Sequence, residues 1–179
     1  MNVGRSDPNT SAVAAAKEMR PPPPLLAIAA ALTQSALATG APRPSASRAA
    51  AATAVAAVSG ALAAASASQF SRMGTTVEPF DPAQASVLVT TGANSVSRNP
   101  MYVGLAGLLV ANAVRLGSWK ALLPAAAFAV VIDRFQIAAE ESALLANFGA
   151  DYEDYRATVP RWLGRGSVPL IPVRRGASA

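Results

Sequence analysis

Two short polar clusters interrupt the apolar second half of the chain and carry the side chains best suited to chemistry. Residues 97–104 read Ser-Arg-Asn-Pro-Met-Tyr-Val-Gly, and residues 133–141 begin Asp-Arg-Phe-Gln and end in two glutamates. An ionised glutamate only accepts hydrogen bonds, so it suits hydroxyl or ammonium groups. The ring of Tyr102 attracts a cation, and Arg98 suits an anion. Side chains of these types are suited to binding a small charged molecule.

The composition removes several kinds of catalysis. The chain of 179 residues has no cysteine and no histidine. Disulfides, thiolate nucleophiles, zinc–thiolate sites and every Ser-His or Cys-His mechanism are therefore excluded. We expect no metal site.

The balance of apolar and charged residues indicates a membrane protein. The hydrophobic fraction is 52% and the charged fraction 14%, against roughly 25% charged in soluble domains. Lipid would then cover part of the surface. The net charge of +5 is not accompanied by aromatic residues interleaved with arginines, so we expect membrane lipids as partners and no nucleic acid.

The first half of the chain predicts a tail followed by two membrane helices. Residues 1–24 are polar and then proline-rich, which is typical of a disordered tail. Residues 25–71 form two alanine-rich transmembrane helices separated by a turn at residues 40–44. A soluble alanine-rich helical hairpin is the alternative for this pair. A short apolar run ending in Ala36-Leu37-Ala38 also resembles a cleavable signal peptide, although we expect a retained anchor.

The second half predicts a transmembrane hairpin that carries both polar clusters. The apolar region from Met101 to Ile132 is broken at residues 115–120, with Trp119 as an interfacial anchor. A hairpin at this break would bring the two clusters together on one side of the membrane. The fold class expected is an all-α, polytopic membrane helical bundle of about four spans. A cytoplasmic C-terminal amphipathic helix should follow, with Tyr152 and Tyr155 against the membrane surface.

The distribution of Lys and Arg predicts the orientation. With four spans, three of the 15 cations lie in the N-terminal tail, two in residues 72–98 and six in residues 133–179; four lie at the other end of the bundle. The positive-inside rule then places both termini and the polar clusters in the cytoplasm. We expect an integral protein of the plasma (inner) membrane.

Three stretches carry a family resemblance. Residues 98–104 resemble the Arg-His-Pro-x-Tyr-x-Gly signature of the isoprenylcysteine carboxyl methyltransferases and the related phospholipid methyltransferases. Residues 88–92 are similar to the Leu-Val-Thr-x-Gly stretch that precedes it. Residues 140–163, with paired glutamates, Phe-Gly, tyrosines and Val-Pro-Arg, are similar to that family's C-terminal pattern. The resemblance marks residues 72–163 as a methyltransferase-like catalytic region, followed by a basic tail at residues 164–179.

The resemblance implies methyl transfer from S-adenosylmethionine to a lipophilic acceptor, a carboxylate or an amine. The cofactor-binding residues that it implies are Val87, Leu88, Val89, Asn99, Pro100, Met101, Tyr102 and Glu140. The substrate-binding residues are Arg98, Arg134, Gln136 and Glu141. No residue is assigned as catalytic, because displacement at a sulfonium methyl needs positioning and exclusion of water rather than an obligatory base.

Three departures from the pattern leave alternatives open. Asn99 replaces the signature histidine, Asn94 stands where the carboxyl methyltransferases have a tyrosine, and Gln136 stands where they have an arginine. The methyl acceptor therefore stays unidentified, as does the oligomeric state, and a non-catalytic membrane scaffold that retains the fold is the competing hypothesis. Arg98 and Arg134 could also be interfacial cations, and Glu140-Glu141 a solvated helix face.

Overall fold

A computed structural model describes residues 21–72, 87–164 and 167, and the described residues are helical with no strand among them. The helices are α1 (Pro23–Leu37), α2 (Ala46–Arg72), α3 (Pro100–Leu116), α4 (Leu122–Val131), α5 (Ala138–Phe148) and α6 (Ala150–Thr158). The all-α prediction is confirmed. The tail at residues 1–20 and nearly all of residues 164–179 lie outside the described residues.

The bounds of α3 follow from the local sequence. Pro100 occupies the first turn, where its fixed φ suits a helix and its missing N–H is no loss. The helix ends at Gly117, whose φ of 65° lies in the left-handed region that favours glycine. A short 3₁₀ turn, Trp119–Ala121, then leads directly into α4. The predicted hairpin break is confirmed.

The returning helix is longer than the apolar pattern suggests. A wide π-helical turn, Ile132–Ile137, joins α4 to α5 without interruption, so one helix of 30 residues runs from Trp119 to Phe148. The second polar cluster therefore lies within this helix and not beyond its end. Such wide turns are often found at functional sites.

Contacts near the helix ends show that successive helices run in opposite directions. The buried Gln34 near the end of α1 donates to the carbonyl of Leu109 in the middle of α3 (2.9 Å) and to that of Ala121 (2.7 Å) in the 3₁₀ turn at the hairpin end. At the other end of the bundle, Gln69 in the last turn of α2 donates to the Thr91 carbonyl at 2.7 Å. Among the described residues, α1 to α4 thus alternate in direction, and the start of α3 lies at the same end as the last turn of α2.

Two of the helices are long and apolar enough to cross a membrane. They are Ala46–Gln69, with 24 residues, and Trp119–Phe148, with 30. The other two apolar helices, α1 and α3, have 15 and 17 residues, and about 20 are usual for a bilayer. Two membrane-spanning candidates are therefore established by length and composition, and the count of four spans stays a prediction.

Helices α2 and α3 approach each other closely through small residues. A Cβ on Gly104 would lie 2.7 Å from the Ser59 carbonyl oxygen and 2.7 Å from the Ala63 Cβ. A Cβ on Gly107 would overlap the Ser59 hydroxyl and lie 2.9 Å from the Ser59 Cβ. Small residues at these positions allow the dispersion contacts that associate helices where lipid replaces water.

This packing gives a stability prediction. Gly107→Ala should destabilise the bundle by about 1–3 kcal/mol, because the added methyl group overfills the contact with Ser59. Adding Ser59→Gly should relieve the overlap, since the nearest remaining atom is then the Cα of residue 59 at 4.0 Å, so the double variant should lose less stability than the sum of the two single variants. Unfolding in detergent measures both effects. Gly60→Ala is the control, because its Cβ meets nothing within 4 Å; equal losses at positions 60 and 107 would contradict the packing argument.

Candidate functional site

The fold-back brings the two polar clusters into direct contact. The Tyr102 hydroxyl donates to Oε1 of Glu140 at 2.7 Å, and Nε2 of Gln136 donates to the same oxygen at 2.6 Å. Tyr102 is buried between α3 and the returning helix, in a core with Phe128 and Ile137. The predicted proximity of the clusters is confirmed, and Glu140 is not part of a solvated helix face.

The second glutamate of the pair lies between two arginines. Nη2 of Arg98 donates to Oε1 of Glu141 at 2.7 Å. Arg161 donates from Nε to the same oxygen at 3.1 Å and from Nη2 to Oε2. The side chains of Arg98 and Glu141 are only 9% and 12% exposed, so the interpretation of Arg98 as a snorkelling interfacial cation is wrong.

A C-terminal strap, residues 159–163, crosses the start of α3. The backbone N–H of Arg98 donates to the Pro160 carbonyl at 2.9 Å. The Arg161 carbonyl accepts from the Ser97 hydroxyl and from Nδ2 of Asn99, both at 3.0 Å. The side-chain amide of Asn99 therefore holds the strap, and it makes no side-chain cap on α3.

The strap also joins the wide turn of the returning helix. Nη1 of Arg161 lies 3.3 Å from both carboxylate oxygens of Asp133, and Nε1 of Trp162 donates to Oδ1 of Asp133 at 2.8 Å. Sequence reasoning assigned no site role to these three residues. The family pattern around Val159-Pro160-Arg161 was the one signal that could have nominated Arg161.

Arg134 is the predicted site residue that the structure leaves outside the cluster. Its side chain is 77% exposed, and it lies 3.7 Å from Asp133. This exposure agrees with the alternative of an interfacial cation.

Helix α6 packs on the segment before α3. The Tyr155 hydroxyl donates to the Asn94 carbonyl at 2.7 Å, and the Arg156 carbonyl accepts from Nη1 of Arg98 at 3.1 Å. Tyr152 and Tyr155 are buried, at 1% and 8% exposure. The expectation that they contact the membrane surface is wrong, because their shared helix face is covered by protein.

Burial and nearby charge shift the pKa values outside the apolar helices. Burial, reinforced by the negative charge of Glu141, raises the pKa of Tyr152 to about 12. Burial likewise raises the pKa of Tyr155. The hydrogen bond to Glu141 raises the pKa of Arg161 further above its usual range. Both tyrosines are thus neutral at physiological pH, and Arg161 is a permanent cation.

The raised pKa of Tyr152 gives a pH prediction. Between about pH 10 and 12 the unfolded chain loses the Tyr152 proton and the folded protein keeps it, so the contribution of Tyr152 to stability is constant below pH 10 and is lost as the pH rises. The loss should reach about 2–3 kcal/mol for a shift of about two units. Unfolding measured across this range should show a shallower decline for Tyr152→Phe. An equally steep decline in that variant would contradict the raised pKa of Tyr152. The part of the decline that Tyr155 causes remains in both proteins.

The stretch before α3 contains a buried acceptor without a donor. Val87 is 48% exposed, whereas Val89 is buried and its carbonyl accepts from Nδ2 of Asn94 at 3.1 Å. Oδ1 of Asn94 is buried and has no hydrogen-bond partner within the described part of the chain. Leaving such an acceptor unpaired costs about 1–3 kcal/mol, so a donor from a bound molecule would suit this position.

Comparison with known proteins identifies the family. A family model described as phospholipid methyltransferase matches residues 47–151. The chain belongs to the phospholipid methyltransferase family. The match covers α2 to the start of α6, and the predicted family resemblance is confirmed.

Two curated relatives extend this comparison. The chain is 43% identical over 63 residues to an uncharacterised protein of Haemophilus influenzae, covering 35% of this chain and 100% of that protein. It is 35% identical over 89 residues to the protein-S-isoprenylcysteine O-methyltransferase of Schizosaccharomyces pombe, covering 48% of this chain and 34% of that enzyme. No solved structure matches the chain significantly. Membership of this family, together with two apolar helices of spanning length, indicates an integral membrane methyltransferase.

Proposed function

We propose that the protein transfers a methyl group from S-adenosylmethionine to a lipophilic carboxylate or amine that reaches the site through the bilayer. The contact between Tyr102 and Glu140 carries this proposal, because it joins the two halves of the family signature in one place. Family membership supports methyl transfer. The identity of the cofactor and the class of the methyl acceptor go beyond family membership and are part of the proposal.

The residues at the site fit this cofactor. S-adenosylmethionine carries hydroxyl groups and an ammonium group that a carboxylate such as Glu140 can accept from. Its sulfonium cation suits the electron-rich face of an aromatic ring such as that of Tyr102. The unpartnered Oδ1 of Asn94 is a buried acceptor for an N–H or O–H donor. These three groups supply recognition for the polar parts of the molecule.

The remaining proposed cofactor residues precede Tyr102 in the chain. The start of α3, directly before Tyr102, consists of Asn99, Pro100 and Met101. Pro100 leaves the backbone there without an N–H donor. Val87, Leu88 and Val89 would supply an apolar wall, of which Val89 is the buried member. Asn99 would act by fixing the strap over the site.

The polar and charged side chains next to Tyr102 and Glu140 bear on which methyl acceptor the site would bind. Of the proposed substrate residues, Gln136 contacts Glu140 directly, and Arg98 and Glu141 form the adjacent ion pair. Arg134 is exposed and would contact lipid headgroups instead. When bound, the cofactor supplies the electrophilic methyl group; the protein holds the acceptor beside it and excludes water.

The membrane topology belongs to the same proposal. The alternating directions of the helices support four crossings, with α1 and α3 completing the bundle beside the two longer helices. The count of Lys and Arg supports cytoplasmic termini and a cytoplasmic cofactor site in the plasma (inner) membrane.

The test is to incubate membranes containing the protein with methyl-labelled S-adenosylmethionine and to find the labelled molecule by mass spectrometry. We expect one lipophilic product to gain the label, and membranes with Glu140→Gln to lack it. Binding of the cofactor without any labelled product would contradict catalysis and favour the scaffold hypothesis.

A further inference from the structure

The charges of the protein are segregated between the two ends of the bundle. Four cations lie at the hairpin end, away from the site, and we name them the cationic rim: Arg43, Arg48, Arg115 and Lys120. Nη2 of Arg48 donates to the carbonyls of Pro42 and Arg43, both at 3.1 Å. A Cβ on Gly117 would overlap the Arg48 guanidinium, so Arg48 lies against the turn that separates Arg115 from Lys120. The segment with Arg43 and Arg48 therefore lies against the turn between Arg115 and Lys120.

Among the described residues, the cationic rim has no compensating carboxylate. At the site, Arg98, Arg134 and Arg161 each have a carboxylate within 4 Å. In the described part of the chain, no member of the rim forms an ion pair; Arg115 bonds only to the neutral side chain of Asn112. Nε of Arg48 is buried and has no hydrogen-bond partner among the described residues. This end of the bundle carries four positive charges and one unused, buried donor.

Neighbouring side chains place the rim at the level of lipid headgroups. Trp119, which is 71% exposed, precedes Lys120, and tryptophan favours the boundary between hydrocarbon and water. Leu122 and Leu123 follow and are 46% and 56% exposed, as suits side chains in contact with acyl chains. The cations thus lie just outside the hydrocarbon, where phosphate groups are found.

We propose that the cationic rim is a binding site for an anionic phospholipid, recognised by its phosphate headgroup. Arg43 and Lys120 are exposed and would contact the phosphate directly, and Arg48, held against backbone carbonyls, would add its positive charge. Each basic residue near an anionic membrane surface strengthens binding about fivefold. The site is separate from the methyl-transfer site and does not depend on it.

The test uses the full chain purified in a neutral detergent and titrated with mixed micelles of phosphatidylcholine and phosphatidylglycerol, with bound lipids counted by native mass spectrometry. We expect preferential retention of phosphatidylglycerol. The double variant Arg43→Gln/Lys120→Gln should weaken this preference about 25-fold, because each of the two cations contributes about fivefold. Among the described residues, the side chains of Arg43 and Lys120 make no hydrogen bond or ion pair, so the double variant should stay folded, as its thermal unfolding will show.

Arg156→Gln is the control, because it removes one exposed cation of α6 at the other end of the bundle. It should leave the preference within about twofold. An unchanged preference in the double variant, or an equal loss in Arg156→Gln, would overturn the proposal. Displacement of the lipid by millimolar inorganic phosphate would also overturn it, since the site would then take free anions rather than lipid.

Discussion

Glu140→Gln should lower the affinity for S-adenosylmethionine by about 30-fold or more. The substitution keeps the size of the side chain and its ability to accept from Tyr102 and Gln136, but it removes the negative charge. Removing one partner of a buried, hydrogen-bonded charge contact costs about 2–5 kcal/mol of binding free energy, and each 1.4 kcal/mol is about tenfold. Calorimetric titration of the purified protein with the cofactor measures the change.

Two further variants make this prediction specific. Tyr102→Phe keeps the aromatic face and removes only the hydroxyl that positions Glu140, so its affinity should fall less, about tenfold. Glu153→Gln changes an exposed carboxylate on α6 and should bind as well as the unmodified protein. An unchanged affinity in a folded Glu140→Gln protein would contradict the proposed cofactor site.

Glu141→Ala should destabilise the protein by about 3 kcal/mol. Removing one partner of a buried ion pair costs about 3–5 kcal/mol, because it leaves an uncompensated charge. Arg98, with 9% of its side chain exposed, would be left without its carboxylate. Arg161 is 35% exposed and still has Asp133, so the expected loss lies at the low end of the range. Unfolding in detergent, with helicity as the readout, measures it.

The rescue variant separates charge from size. Glu141→Leu combined with Arg98→Met replaces the pair by apolar side chains and should recover most of the stability, since buried pairs are often replaceable in this way. Arg134→Ala should change stability by less than about 0.5 kcal/mol, as is usual for exposed ion pairs. A loss in Glu141→Ala no larger than in Arg134→Ala would show that the buried pair contributes nothing.

The hairpin and the meeting of the clusters could be predicted from the sequence because both follow from local signals. The break at residues 115–120 and Pro100 mark where helices end and begin, and a hairpin then leaves little choice about which ends meet. The separate partners of Glu140 and Glu141 also follow from helix geometry. Adjacent residues on a helix differ by about 100° in direction, so the two carboxylates contact different neighbours.

The strap and the wide turn could not be predicted in this way. The contacts of Arg161 with Asp133, and of its carbonyl with Ser97, join residues 28 and 64 positions apart, and no periodic pattern encodes them. The π-helical turn has no residue type that marks it. The error at Tyr152 and Tyr155 has a related cause: a helical pattern shows which residues share a face, but not whether lipid or protein covers that face.

The position of the strap in the chain determines when the site is completed during synthesis. Residues 159–163 follow α1 to α6, so a nascent chain on the ribosome already holds these helices while Ser97, Arg98 and Asn99 still lack their strap partners. These polar groups remain hydrated until the strap emerges and closes over them. The proposed site should therefore be completed only after the described helices have been made.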